Sequence, residues 1–170
     1  MLLTLVSFPG VIVHEIAHLL FCRLFRVPVL KVCYFRLGNP AGYVLHEKPQ
    51  SAAQHVCICT GPFLVNTVLG ALIALPGVIP VITFESASTL DYVLVWLGVS
   101  IAMHAFPSTG DAKVIWASIW SDESSFMAKL VGVPIVALIY AGALGSVVWL
   151  DVLYGVGVAL ALPMLLVHAG

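Results

Sequence analysis

Long apolar stretches, separated by short polar or proline-containing breaks, run through most of this 170-residue chain. A helix that crosses a bilayer needs about 20 predominantly apolar residues, because no water is available there for its backbone polar groups. Charged residues make up 9% of the chain and hydrophobic residues 61%, whereas soluble domains carry about 25% charged residues. The sequence therefore predicts a single all-α, polytopic membrane domain over residues 1–170.

Five segments have the length and apolarity of a spanning or buried helix, and turn-forming residues lie between them. Pro76-Gly77 follows the second segment and Pro107 follows the third. Within the first segment, Pro9 favours a helix start near that residue, with Ser7 as its cap. The predicted helices cover 2–26, 53–75, 91–106, 126–145 and 146–167, with a connection over 76–90 and a short helix over 112–120.

The segment after the first helix has a different pattern. Residues 29–47 interleave apolar side chains with Lys31 and Arg36, around the turn-forming sequence Gly-Asn-Pro-Ala-Gly at 38–42. This segment is too polar to span a bilayer and too apolar to lie free in water. It predicts a β-hairpin at the membrane interface or partly within it.

Basic residues are concentrated in one part of the chain. Because cytoplasmic loops of membrane proteins are enriched in Lys and Arg, this concentration places the 27–52 loop in the cytoplasm. We expect a multi-pass integral protein of a prokaryotic plasma (inner) membrane, in contact with lipid; its oligomeric state is not indicated. A net charge of −1 indicates no nucleic-acid partner. Five of the seven basic residues lie at the end of the first segment or between it and the second: Arg23, Arg26, Lys31, Arg36 and Lys48.

The first apolar segment contains three ionisable side chains in the HExxH pattern, His14-Glu15-x-x-His18. Positions four apart on an α-helix differ by about 40° in direction and about 6 Å in height, so both imidazoles can share one ion. Catalytic zinc takes three protein ligands and a water whose pKa it lowers toward about 7. Glu15 lies about 100° around the helix from His14, where it can accept a proton from that water. The pattern predicts one zinc per chain.

The alternative for these three residues is a polar cluster in which neighbouring helices satisfy each group. A charged side chain at the centre of a bilayer costs at least about 2.5–3.5 kcal/mol, so ionisable residues at that depth indicate function. The membrane context therefore favours the metal site.

The third metal ligand must come from another part of the chain. Asp111 follows a Pro-Ser-Thr-Gly break at which one helix ends and another begins, so its carboxylate can face inward at membrane depth. It is the preferred candidate, and the alternative is that it caps the helix predicted from Ala112. The other candidates are His46, Glu47, Asp91 and His104.

Each of two further polar residues has two possible roles. Asn66 lies inside the second apolar segment, and its amide could donate to a substrate carbonyl or a developing oxyanion. It could equally make a hydrogen bond between helices. His104 could orient a metal ligand, or it could be a histidine satisfied in the core.

Three motifs occur in order along the chain: HEIAH at 14–18, GPFLVN at 61–66, and an aspartate after a Pro/Gly break. Together they resemble the site-2 protease family of intramembrane zinc metalloproteases, which carries HExxH, Gly-Pro-x-x-x-Asn and a distal Asn-Pro-x-Asp-Gly. The resemblance covers roughly residues 8–120. The chain departs from the family at 106–111, where it reads FPSTGD.

By this resemblance, His14, His18 and Asp111 would bind the zinc ion. Glu15 would be the catalytic base, and Asn66 would help to hold the substrate. The predicted hairpin is similar to the family's β-structure, which can offer an edge strand to an extended substrate. The implied activity is hydrolysis of peptide bonds in transmembrane or membrane-associated proteins.

Two other functions are compatible with the same residues. A non-catalytic membrane adaptor or chaperone could retain the fold and the metal, although it would not need Glu15. A metal carrier or channel would need more ligands along a spanning path. The last two apolar segments offer only Asp151 and His168 for that purpose.

Overall fold

The structure is a computed structural model that describes residues 2–83, 86–121 and 124–169. The described part is mostly helical and carries one two-stranded antiparallel sheet, which confirms the predicted helical fold with a small hairpin. In chain order the elements are α1 (Leu2–Val6), α2 (Phe8–Leu24), β1 (Val29–Cys33), β2 (Tyr43–His46), α3 (Ala52–Thr83), α4 (Thr89–Met103), α5 (Thr109–Ile119), α6 (Phe126–Gly145) and α7 (Leu150–Ala169).

The helix predicted over 2–26 is divided at Ser7 into α1 and α2. The Ser7 hydroxyl donates to the carbonyl of Leu3 at 2.8 Å and does not cap α2. Pro9 lies in the first turn of α2, where its missing N–H leaves no helical hydrogen bond unmade. The prediction of one continuous helix is therefore wrong, and the predicted start near Pro9 is confirmed.

The predicted hairpin over 29–47 is confirmed. Strand β1 pairs antiparallel with β2, with Val32 opposite Val44 and Cys33 opposite Tyr43. Its base packs on α2 and α3, since Val44 contacts a buried cluster that contains Cys22 and Ile58. Its turn reaches the other end of α2, where residues 35–39 and Ala41 share a cavity of about 280 Å³ with residues 4–5 of α1. The hairpin thus runs alongside α2.

Helix α3 is longer than predicted. The sequence places its end at Pro76-Gly77, but the helix continues through Pro76 and Pro80 to Thr83. A proline inside a helix removes one backbone donor, and in an apolar segment the helix is still the best way to satisfy the remaining groups. The predicted connection over 76–90 is wrong for residues 76–83; residues 84–85 lie outside the described part.

Glycines allow α3 and α4 to pack closely. A Cβ built on Gly98 of α4 would lie 2.6 Å from the carbonyl oxygen of Gly70 on α3. Small residues at helix contacts are typical of membrane proteins, because they let two backbones approach each other. Helix α7 packs against both, and a Cβ on Gly155 would lie 2.9 Å from the carbonyl oxygen of Val99.

The helix boundaries in the second half differ modestly from those predicted. Helix α4 covers Thr89–Met103 instead of 91–106, and α5 covers Thr109–Ile119 instead of 112–120. Both begin earlier because a serine–aspartate capping box starts each one. Helix α6 agrees with the prediction, whereas α7 begins four residues late because a 3₁₀ turn occupies Ser146–Val148.

Among the described residues, two helices are long and apolar enough to cross a membrane: Ala52–Ile82 and Phe126–Val148. Helix α4 and the segment Leu150–Ala161 are apolar but shorter. Helix α2 has 17 residues, equivalent to about 26 Å, which is less than a hydrocarbon core of about 30 Å. The prediction of about five spanning helices is therefore corrected to two clear candidates.

Candidate metal centre

His14 and His18 lie one turn apart on the same face of α2, as their spacing predicts. Their rings are 4.8 Å apart between centroids, and their Nε2 atoms are 3.1 Å apart. His18 is buried and His14 is half-buried. The two Nε2 atoms therefore face each other inside the protein.

Backbone carbonyls determine which nitrogen of each ring carries the proton. His14 Nδ1 lies 2.7 Å from the carbonyl oxygen of His104, and His18 Nδ1 lies 2.9 Å from that of Ile58. A carbonyl only accepts hydrogen bonds, so both Nδ1 atoms donate. In a neutral imidazole this leaves Nε2 as a lone pair, the form in which histidine binds metals. Two lone pairs 3.1 Å apart repel each other unless a proton or a metal ion lies between them.

Asp111 completes a group of three ligands. Its Oδ1 lies 3.7 Å from His18 Nε2. Its other oxygen, Oδ2, accepts hydrogen bonds from the backbone N–H and the hydroxyl of Ser108, at 2.7 and 2.6 Å. The two readings of Asp111 therefore coexist, because one oxygen belongs to the capping box of α5 and the other faces the histidines. The cap residue itself is Ser108, and the helix starts at Thr109 instead of Ala112.

The ligand atoms of His14, His18 and Asp111 all lie within 4.8 Å of one another, so the group could hold a metal ion. Ligands about 2.0–2.1 Å from a tetrahedral zinc ion are about 3.3 Å apart, close to the observed separation of the imidazoles. Two imidazoles and a carboxylate with orienting hydrogen bonds are a suitable donor set for zinc. The residues therefore fit a divalent metal, without specifying which one.

The other candidate ligands do not join this group within the described part of the chain. The ring of His104 is bonded to the Ser7 hydroxyl at 2.9 Å, and Asp91 forms the capping box of α4 with Ser88. His46 stacks edge-on against His55. Glu47 follows β2 on the exposed side of the hairpin.

Glu15 lies beside the group without belonging to it. The residue is 6% exposed, and its carboxylate makes no hydrogen bond within the described part of the chain. The residue before β2 covers it, since a Cβ built on Gly42 would lie 2.7 Å from the Oε1 of Glu15. Glu15 is thus a buried residue whose carboxylate has no hydrogen bond within the described structure, on the same helix as two of the candidate ligands.

Asn66 is fully buried where α2, α3 and α4 meet. Its Nδ2 lies 3.2 Å from the carbonyl oxygen of Gly10, 3.1 Å from that of Ile101 and 3.2 Å from that of His104. Three acceptors around one atom identify that atom as the amide nitrogen. In this arrangement the donor of Asn66 makes interhelical hydrogen bonds, the second of the two readings of this residue.

The carbonyls of His104 and Ile58 are parts of the site that sequence reasoning missed. His104 contributes its backbone, whereas its ring bonds Ser7. Every residue has a carbonyl, so no residue type marks this function. Gly10 is an indirect sign of this close approach. A Cβ at this position would collide with the carbonyl of Ser100, so a glycine here lets α2 approach the end of α4.

Comparison of the chain with protein-family models, curated proteins and solved structures found no match. The resemblance to site-2 proteases therefore depends on the three motifs of the sequence. The candidate metal centre depends on the geometry described above.

Proposed function

We propose that this chain is an intramembrane zinc metalloprotease that hydrolyses peptide bonds in transmembrane or membrane-associated proteins. The observation that carries this proposal is the pair of imidazoles whose bare Nε2 atoms face each other beside Asp111, with the unpaired carboxylate of Glu15 adjacent. A site that only stores metal has no need of a buried, unpaired carboxylate next to its ligands.

The chain's own residues have defined tasks in this reaction. A zinc ion bound by His14, His18 and Asp111 would supply Lewis-acid polarisation of the substrate carbonyl and a water acidic enough to be deprotonated near neutral pH. Glu15 would take one proton from the attacking water as its oxygen bonds to the carbonyl carbon. Glu15 would then return that proton to the leaving nitrogen as the C–N bond breaks, so the carboxylate is regenerated.

The hairpin offers a way to hold the substrate. A helical substrate hides its carbonyls in hydrogen bonds, so it must unwind locally before cleavage. Strands β1 and β2 pair only with each other among the described residues, which leaves one edge of each with free backbone groups. An extended substrate could add to such an edge, close to Glu15, which lies under the start of β2.

Location in a membrane is supported by the surface of the two longest apolar helices. Little of these helices is buried in the protein. The buried share of an apolar 18-residue stretch is 28% in Ala52–Ile82 and 17% in Phe126–Val148. Exposed residues such as Leu64 and Leu138 would be unfavourable in water, and lipid satisfies them. We propose that α4 and α7 cross with α3 and α6 in a multi-pass protein of the inner membrane, with the 27–52 loop in the cytoplasm.

Cleavage of a membrane-embedded reporter by purified protein in liposomes tests this proposal. Wild type and Glu15→Gln should bind equal amounts of zinc, while cleavage by Glu15→Gln falls by about 100-fold or more. Glu47→Gln is the matched control, because it makes the same change on the exposed side of the hairpin and should cleave like wild type. Zinc-loaded wild type that cleaves no faster than Glu15→Gln would show that the chain is a non-catalytic metal-binding protein.

A further inference from the structure

We propose that Asn66 is a positioning residue for the metal centre, acting through the backbone carbonyl of His104 on the ring of His14. The inference rests on the metal site of the proposed function. It gives Asn66 a role in holding that site in place, and not a contact with the substrate. It concerns how the protein keeps Nε2 of His14 free and correctly aimed.

A hydrogen bond joins the ring of His14 to the residue that follows α4. Nδ1 of His14 donates to the carbonyl oxygen of His104 at 2.7 Å, the shortest polar contact that either ligand histidine makes in the described structure. This bond determines the tautomer of His14 and the direction of its ring. Partners of this kind typically change metal affinity about 10- to 100-fold when they are removed.

The side chain of Asn66 holds the carbonyl of His104 in place. His104 follows the last residue of α4, so its carbonyl has no partner within that helix. The Nδ2 of Asn66 lies 3.2 Å from this carbonyl oxygen and 3.1 Å from that of Ile101, one turn earlier. Asn66 therefore joins the last turn of α4 to the residue that ends it.

The same amide of Asn66 also contacts α2. Nδ2 of Asn66 also lies 3.2 Å from the carbonyl oxygen of Gly10, one turn before His14. The amide thus contacts both helices whose relative position determines the His14–His104 hydrogen bond. The absence of a Cβ at Gly10 permits this approach, because one would lie 2.5 Å from the His104 ring.

The direction of the amide argues against a direct contact with substrate in this arrangement. All three contacts of Nδ2 are carbonyls of the protein, and the residue is 0% exposed. Its Oδ1 is buried and has no hydrogen-bond partner among the described residues. A group that stabilises a developing oxyanion must present its N–H to the reacting carbonyl. Asn66 presents its N–H to His104 instead.

Zinc affinity, measured by competition with a chelator on purified protein in detergent, tests the proposal. Asn66→Asp keeps the shape of the side chain but replaces the donor with an oxygen that faces three carbonyls. We expect its zinc affinity to fall about 10- to 100-fold. The matched control is Thr67→Val, which removes an interhelical hydrogen bond from the next residue, a 2.7 Å contact with Tyr154 of α7. It should lower thermal stability and leave zinc affinity unchanged.

The outcomes separate this inference from the proposed function. Wild-type affinity in Asn66→Asp, or an equal loss in both variants, would overturn the positioning role and leave the proposed protease intact. Wild type that binds no zinc would overturn both.

A measurement on wild type covers the case in which Asn66→Asp does not fold. The chain has two asparagines, so ¹⁵N-asparagine labelling gives two side-chain amide pairs in an NMR spectrum. The Asn66 pair should shift when zinc is removed, while that of Asn39 in the hairpin turn should not. An Asn66 pair that is indifferent to zinc would contradict the proposal.

Discussion

Asp111 uses its two carboxylate oxygens for different purposes. Oδ2 closes the capping box that starts α5, and Oδ1 lies 3.7 Å from His18 Nε2. The capping box fixes the carboxylate at the helix start, so the oxygen that faces the histidines is already oriented before a metal binds. The residue that begins a helix is thereby also a candidate ligand.

Asp111→Asn should lower zinc affinity by at least about tenfold, because it removes the negative charge that Oδ1 would bring to the proposed metal site. Asp91→Asn is the matched control. Asp91 makes the same capping box with Ser88 at the start of α4 but has no histidine partner among the described residues. Both variants should lose some thermal stability through the weakened caps. Equal zinc affinity in the two variants would remove Asp111 from the ligand set.

At the scale of residues, the ligand pair was predictable and its supports were not. His14, Glu15 and His18 are related by helical spacing alone, so their arrangement follows as soon as the segment is known to be a helix. Asp111 could be proposed as a ligand or as a capping residue, but not as both at once. The capping role is local to residues 108–111, whereas the ligand role depends on where α5 lies relative to α2. The carbonyls of His104 and Ile58 carry no sequence signal.

At the scale of elements, the hairpin and α2 form one unit around Glu15. Gly42, the residue before β2, is buried against the Glu15 side chain, with no space for a Cβ between them. The glycine of the turn sequence therefore has a second purpose. It allows the strand to lie directly over the proposed base.

Gly42→Ala should lower the cleavage rate while leaving zinc content unchanged. A new Cβ would lie 2.7 Å from Cγ and Oε1 of Glu15, so the carboxylate or the strand must move. A displacement of about 1 Å at a catalytic group can cost about 100-fold in rate. The control is Gly38→Ala in the same turn, where the nearest atom, Nε of Arg36, would be 3.8 Å away. Equal rates in the two variants would mean that the β2–Glu15 contact has no part in catalysis.

The packing of α3 on α4 positions both Asn66 and the end of α4. It was not predictable, because a sequence shows glycines in apolar helices without showing which of them face another helix. The length of α3 was mispredicted for a related reason. Pro76 and Pro80 normally indicate a helix end, but an apolar environment offers their neighbours no alternative to helical hydrogen bonds.

Gly98→Ala should destabilise the protein by about 1–3 kcal/mol, because its Cβ would lie 2.6 Å from both the Gly70 carbonyl oxygen and the Ala74 Cβ. Gly157→Ala is the control, since a Cβ on that α7 residue would have no described neighbour within 4 Å. Its stability should be unchanged or higher by up to about 1 kcal/mol. Thermal unfolding in detergent measures both, and equal stabilities would contradict the close α3–α4 contact.

At the scale of the whole molecule, the exposed surface and the buried polar site belong together. Large apolar side chains cover the outside, as on α6 with Leu138 71% and Leu144 74% exposed, while three candidate ligands and a carboxylate converge inside. A chain of this size places so many ionisable groups near an apolar surface only at a considerable energetic cost. A metal ion that binds the group would offset much of that cost.

X-ray absorption at the zinc edge of purified, zinc-loaded protein tests the central claim most directly. We predict one zinc per chain, bound by two imidazole nitrogens and by oxygen at about 2.0–2.2 Å. In His14→Ala the zinc content should fall, and any zinc that still binds should show half the imidazole signal, because only His18 remains. A substoichiometric metal content, or a shell containing sulfur at about 2.3 Å from cysteines such as Cys22 or Cys59, would contradict it.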